Sequence, residues 1–91
     1  MRMDVKDMRF FVAVYESKGF SSASKILRTV QSNVSARILA LEEAMGGDPL
    51  FERRWRTVVP TAKGIKFYEY AKGVLAKLDD GVHAFKRSKA A

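Results

Sequence analysis

Ser21-Ser22-Ala23-Ser24-Lys25-Ile26-Leu27-Arg28-Thr29-Val30-Gln31-Ser32-Asn33-Val34-Ser35-Ala36-Arg37-Ile38, residues 21–38, carries two helical patterns on either side of a short break. In the first, Ala23, Ile26 and Leu27 recur at the spacing of one buried helix face. Ser21 or Ser22 supplies its start, and Arg28-Thr29-Val30 ends it after about two turns. A second helix opens at Gln31-Ser32 and aligns Val34, Ile38, Leu41 and Met45, until Gly46 offers the positive-φ residue expected past a C-terminus. Rotation by about 100° per residue turns Ser32, Ser35, Ala36, Leu39 and Ala40 away from that stripe and leaves Asn33 and Arg37 on its flank. The outward face is small and polar at its N-terminal end, so the backbone can approach another surface closely. Two helices joined by a few residues, the second without acids in its N-terminal half, form the arrangement that seats a helix in the DNA major groove.

Upstream, Asp4 is placed to cap a first helix in which Val5, Met8, Phe11, Val12 and Tyr15 repeat at helical spacing as far as Ser17-Lys18-Gly19. Downstream, Leu50-Phe51-Glu52-Arg53 and Thr57-Val58-Val59 predict two short strands around Arg54-Trp55-Arg56, a hairpin with a basic, aromatic tip. Thr61 then caps a long helix that only Gly64, Gly73 and Gly81 weaken, by roughly 1 kcal/mol each relative to alanine. Along this helix of about 25 residues, roughly 37 Å, Tyr68, Ala71, Leu75, Leu78, Val82 and Phe85 alternate steps of three and four, the spacing of a coiled-coil seam. The fold class expected is mainly α with a small two-stranded hairpin. Residues 1–61 form a winged helix-turn-helix, 62–86 a linker and dimerisation helix, and 87–91 a tail.

The chain has 91 residues, with 17 Lys and Arg against 10 Asp and Glu, for a formal charge of +7. A domain this short buries only roughly 60–65% of the surface its unfolded chain exposes, which favours a stabilising partner. The 47% hydrophobic content, with six glycines and two prolines, excludes the disordered and collagen-like classes. With no cysteine there is no disulfide, thiolate metal site or thiol nucleophile, which suits a reducing cytoplasm. Phe10 to Tyr15 is too short an apolar run for a signal peptide or a membrane span. Excess positive charge favours a polyanion or an anionic membrane surface, and its distribution decides between them. Residues 17–41 hold Lys18, Lys25, Arg28 and Arg37 with no acid, and 53–68 hold Arg53, Arg54, Arg56, Lys63 and Lys66 with none. An ordinary solvated face mixes both signs. A membrane-binding helix would use Lys63, Lys66, Lys72, Lys77 and Lys86, but Glu69, Asp79 and Asp80 interrupt that face. Catalysis has little material, because His83 stands alone and Ser21, Ser22 and Ser24 have no base at readable spacing. No enzyme activity, cofactor, metal or membrane is expected.

These residues resemble the N-terminal DNA-binding domain of a LysR-type bacterial transcriptional regulator over nearly the whole chain. Met8-Arg9-Phe10-Phe11-Val12-Ala13-Val14 resembles the family's first helix and Gly19-Phe20-Ser21-Ser22-Ala23-Ser24-Lys25-Ile26-Leu27 its second. Gln31 to Ile38, followed by Leu41-Glu42, resembles its recognition helix. Leu50-Phe51-Glu52-Arg53 and Pro60-Thr61-Ala62-Lys63-Gly64 resemble the beginning of its wing and of its linker helix. The resemblance implies a winged helix-turn-helix homodimer joined by the linker helix, with a tetramer open to the full-length protein. It implies binding to an interrupted promoter dyad and regulation of transcription on the nucleoid, in a bacterial cytoplasm. The family often has proline where Ser32 stands and arginine where Ala36 stands, so base preference is expected to differ. Such regulators usually carry a larger C-terminal domain that senses a small-molecule effector. The sequence lacks that effector-binding domain, and the chain is read as a truncated form.

Gln31, Ser32, Asn33, Ser35 and Arg37 are expected to face base edges, since amides and guanidinium match purine edges and hydroxyls serve either pattern. Arg53, Arg54 and Arg56 are expected on phosphates or in the minor groove, with Lys25, Arg28, Lys63 and Lys66 as further phosphate contacts. The seam of Tyr68, Ala71, Leu75, Leu78, Val82 and Phe85 is the expected dimer interface. The competing reading is a helix-turn-helix adaptor that holds a protein partner through the long helix; the acid-free windows weigh against it.

Overall fold

The computed structural model describes residues 3–88, so residues 89–91 of the expected tail lie outside it. Helix α1 spans Val5–Ser17. Its start is a reciprocal capping box: Asp7 N–H donates to the Asp4 carboxylate at 2.9 Å and Asp4 N–H to the Asp7 carboxylate at 3.0 Å. It stops where Lys18 adopts the left-handed conformation, φ 63°, and donates its N–H to Val14 O.

Helix α2 covers Phe20–Leu27, with Gly19 rather than a serine at its N-cap. Ser22 Oγ instead seals the corner, donating toward the carbonyls of Ser17 and Gly19 at 3.2 Å. The expected stripe shifts accordingly: Phe20 and Ala23 enter the core, whereas Ile26 is 64% exposed. Beginning the helix at Phe20 rotates its inward side toward that ring. Arg28, also left-handed at φ 56°, closes α2, and Thr29 N–H returns to Ser24 O at 3.0 Å.

Helix α3 runs Gln31–Ala44 and buries Val34, Ile38 and Leu41, as the spacing implied. Its end is made by Gly46 and Gly47, both at positive φ, with Gly47 N–H bonded to Glu42 O at 2.9 Å. Strands β1, Phe51–Arg54, and β2, Thr57–Pro60, pair antiparallel with Arg54 opposite Thr57, leaving Trp55-Arg56 as a two-residue turn. Helix α4 occupies Ala62–Ser88, two residues beyond the expected end. The architecture is therefore a three-helix core, a β-hairpin wing and a long linker helix.

One core joins these parts. The Phe11 ring, fully buried, lies 5.1 Å from Phe51 and 4.8 Å edge-on to Phe67, so α1, the wing and α4 meet on a single aromatic side chain. Tyr15 stacks on Tyr68 at 3.8 Å, and the Tyr68 hydroxyl donates to Glu16, which also takes Lys72 Nζ at 3.3 Å. That hydrogen bond holds the Glu16 carboxyl below its ordinary range and pushes the Tyr68 phenol up to about 12.

This packing divides the expected seam. Ala71 is fully buried in the chain's own core, and Tyr68 and Leu75 pack against it. Leu78, Val82 and Phe85 are exposed at 41%, 49% and 79%. The steps of three and four continue a stripe whose first half faces α1 and whose second half runs past it, and the described chain measures 53 × 27 × 21 Å.

The junction of wing and α4 depends on the absence of a side chain. A Cβ on Gly64 would sit 2.1 Å from the Leu50 carbonyl oxygen. Thr61 fixes that approach: its N–H donates to Leu50 O at 3.0 Å, and its Oγ1 donates to Pro49 O while accepting Gly64 N–H at 3.1 Å. Gly64→Ala should lower stability by about 1–3 kcal/mol through overpacking. Gly73→Ala, where a Cβ meets nothing within 4 Å, should raise helix stability by up to about 1 kcal/mol. Urea unfolding of both variants checks the contrast, and equal shifts would contradict it.

Candidate nucleic-acid interface

The outward end of α3 begins at Val30, whose side chain makes no cap hydrogen bond, and no acid lies in the first turn. The peptide dipoles there present partial positive charge to whatever approaches. Gln31, Ser32 and Asn33 are all exposed on that turn, and Ser35 is half-buried one turn further on. Asn33 Nδ2 donates to Thr29 Oγ1 at 3.0 Å, which orients the amide and draws Thr29, absent from the expected set, into the surface.

Arg37 is not part of this face. Its Nη1 donates to Asp7 Oδ1 at 2.7 Å, and its guanidinium lies over the Phe10 ring, 4.8 Å from the centroid. Its Nε is buried without a hydrogen-bond acceptor, and Asp7 is only 7% exposed. The inward turn of the guanidinium has a plain cause. A flank position on α3 looks either outward or toward α1, and a carboxylate withdrawn from water on α1 draws the cation inward.

Lys63 is diverted in a similar way. Its Nζ donates to Met45 O at 2.5 Å and lies 3.7 Å from Asp48, so it satisfies the C-terminal end of α3 instead of facing a phosphate.

The wing is held at both ends of its strands. The Lys18 carbonyl, freed when α1 ends, accepts Val58 N–H at 3.1 Å and Thr57 Oγ1 at 2.7 Å. The Glu42 carboxylate on α3 accepts Leu50 N–H at 2.8 Å just before β1. Arg53 stacks over Phe20 at 4.4 Å, Arg54 pairs with Glu52 at 2.9 Å, and Arg56 lies 5.2 Å from the Trp55 ring. All three arginines remain exposed.

Between α2 and the wing the surface forms an open groove of about 680 Å³, lined by Lys25, Gln31, Arg53, Arg54 and Arg56 together with Ser21 and Ser22. The structure thus brings one expected base reader and four expected phosphate contacts together. Arg28 and Lys66 are exposed but do not line this groove. Ile26, expected in the buried stripe of α2, lines this groove at 64% exposure, and Val30 and Trp55 stand outside it at 65% and 84%. Only Trp55 carried a visible signal, as an aromatic between arginines. Among the described residues no three His, Cys, Asp or Glu side chains gather as a metal site, and no helix is long and apolar enough to cross a membrane.

Comparison with known proteins gives a consistent result. The family described as bacterial regulatory helix-turn-helix protein, lysR family, matches residues 5–65. The transcriptional regulator CzcR of Bacillus cereus is 40% identical over 78 residues, covering 86% of this chain and 27% of that protein. BenM of Acinetobacter baylyi, also a transcriptional regulator, is 39% identical over 85 residues, covering 93% of the chain and 28% of BenM. The chain thus spans little more than a quarter of these relatives. The crystal structure of the BenM DNA-binding domain with catB site 1 DNA superposes with a TM-score of 0.91 at 37% identity, covering 98% of this chain and 99% of that one.

Removing the Arg37 side chain strands the Asp7 carboxylate against α3, so Arg37→Ala should cost roughly 2–4 kcal/mol of stability. The folded fraction should keep the parent's preference between specific and random duplexes. An unchanged urea midpoint with a loss confined to one sequence would return Arg37 to the groove.

Proposed function

Because the chain belongs to the lysR family of bacterial regulatory helix-turn-helix proteins, we propose that it is the DNA-binding part of a transcriptional regulator. The N-terminal half of α3 enters the major groove of a chosen promoter site. The observation that carries this is the convergence of Gln31 with Lys25, Arg53, Arg54 and Arg56 on one groove beside an uncapped, acid-free helix start. Gln31, Ser32, Asn33 and Ser35 present amide and hydroxyl groups, the chemistry that reads base edges. Lys25, Arg28, Lys66 and the wing arginines supply sequence-independent attraction to phosphates or to the minor groove. Glu52 tempers this, since it already pairs with Arg54 in the free protein.

Two copies act together through α4. The exposed stripe of Leu78, Val82 and Phe85, widened by Tyr70 at 57% exposure, is the surface that a second linker helix covers. Tyr68, Ala71 and Leu75 support it from inside each subunit. Pairing sets two recognition helices on a dyad, about 34–36 Å or a multiple of it apart. Residues 1–61 form the DNA-binding unit and the helix from 62 onward the dimerisation unit. Any small-molecule effector acts through a domain outside these 91 residues. The setting is a bacterial cytoplasm, where the chain works by binding and not by catalysis.

Selection of bound duplexes from random DNA by this chain tests the reading, and a dyad consensus is the expected result. On the selected site Gln31→Ala should cost about 1–3 kcal/mol while sparing random DNA. Lys25→Ala should weaken all sequences and reduce the salt slope by about one. Leu78→Glu should separate the subunits in sedimentation and lower operator affinity without unfolding the domain; a variant that sediments like the parent would count against the α4 interface.

A further inference from the structure

Trp55 has no role in the core. Among the described residues no large hydrophobic side chain is more exposed than its 84%, and it occupies the first position of the two-residue turn at the tip of the wing. Phe10, Phe11, Phe20, Phe51 and Phe67 are all buried, and the other strongly exposed rings, Tyr70 and Phe85, lie on α4, so within the hairpin Trp55 stands in water while Phe51 does not. An indole left in water at the end of a hairpin retains apolar surface that a partner can cover.

The residues around it define that partner. Arg54 and Arg56 flank it in sequence, and the Arg56 guanidinium attends one face of the ring at 5.2 Å. A flat apolar plate between two cations matches the minor groove, a slot about 6 Å wide with sugar walls and a phosphate strand along each edge. The tip is also held in place. Thr57, which pairs with Arg54 at the last rung before the turn, and Val58 are both tied to the Lys18 carbonyl. Insertion therefore needs little ordering of the wing. The groove that contains Gln31 also contains Arg54 and Arg56, so the tip and the recognition helix approach one face of the same duplex.

We propose that Trp55 inserts its indole into the minor groove beside each half-site and wedges against the base step there, making the chain selective for deformable flanking steps that α3 never touches. Arg54 and Arg56 hold the two phosphate strands on either side. Pyrimidine–purine steps such as TA and CA unstack most readily, so these are the preferred flanks. The inference rests on the DNA-binding reading above.

The chain has a single tryptophan, so its emission reports on this side chain alone. End-labelled duplexes carrying the selected site, with TA or with GC at the flanking step, are titrated while anisotropy of the label and tryptophan emission are followed together. The TA duplex should bind about tenfold more tightly than the GC duplex, quench the indole strongly and shield it from iodide. Trp55→Ala should bind both duplexes with nearly equal affinity, and Trp55→Phe should keep part of the preference. Circular dichroism of each variant should match the parent, since the side chain contributes nothing to the core. Rising anisotropy with unchanged emission and iodide access, or a flank preference that survives in Trp55→Ala, overturns the wedge while leaving DNA binding intact. Anisotropy that stays flat on every duplex in dilute buffer overturns the DNA-binding reading, and this proposal with it.

Discussion

A guanidinium on the flank of α3 meets a carboxylate on α1 that is almost wholly withdrawn from solvent. Asp7 serves two elements at once: one of its oxygens closes the capping box that starts α1, and the other receives Arg37 at 2.7 Å. A carboxylate set this deep is stable only when paired, so the contact holds the two helices in rotation and in register relative to each other. The buried stripe of Val34, Ile38 and Leu41 tolerates small rotations of α3; a directional ion pair backed by the Phe10 ring does not. The outward face is what remains once that side is committed. It consists of Gln31, Ser32 and Asn33, with Ser35 on its edge, at a helix start that carries no acid.

The wing takes its position from groups that the helices leave over. Ending α1 in a left-handed residue frees the Lys18 carbonyl, and that oxygen receives two donors from β2. Ending α3 in two glycines at positive φ turns the chain toward β1, where Glu42 meets Leu50 N–H. Lys63 donates to the Met45 carbonyl at the end of α3, and the bare Gly64 lets α4 lie against Leu50. Each terminus thus supplies the polar group that anchors the next element, so the hairpin stands beside α3 without a large sheet behind it.

What could be seen in the sequence was what local spacing determines. The Asp4 cap, the break at Arg28 to Val30, the glycine stop after α3, the Thr61 cap and the paired strands all follow from residues within a few positions of one another. The differences share another origin. Arg37 sat at a position that period alone leaves on the flank, and its direction was set by a partner 30 residues earlier. Lys63 looked like one more cation in an acid-free window, yet its carbonyl partner lies on another element, 18 residues away. The seam from Tyr68 to Phe85 was a genuine apolar stripe, but periodicity does not say where the domain beneath the helix ends. Phe20, unassigned in the sequence, joined the α2 core face and Ile26 left it, because the helix began at Phe20 and not at the serines. The gathering of Gln31, Lys25 and the wing arginines on one groove was therefore legible as a region, while the direction of individual cations required the tertiary structure.

The claim that α3 presents its first turn outward while the Arg37 side is locked to α1 can be examined at single-atom resolution. Nuclear magnetic resonance of the labelled chain separates the buried Arg37 Nε–H from the exposed guanidiniums of the wing. On titration with a bound duplex, the backbone amides of Gln31 to Ser35 and of Trp55 and Arg56 should shift together, while the Arg37 Nε signal keeps its frequency and its slow exchange with water. An Arg37 signal that moves as far as those amides, or that is lost to rapid exchange, would show the pair with Asp7 opening to meet DNA and would contradict the account.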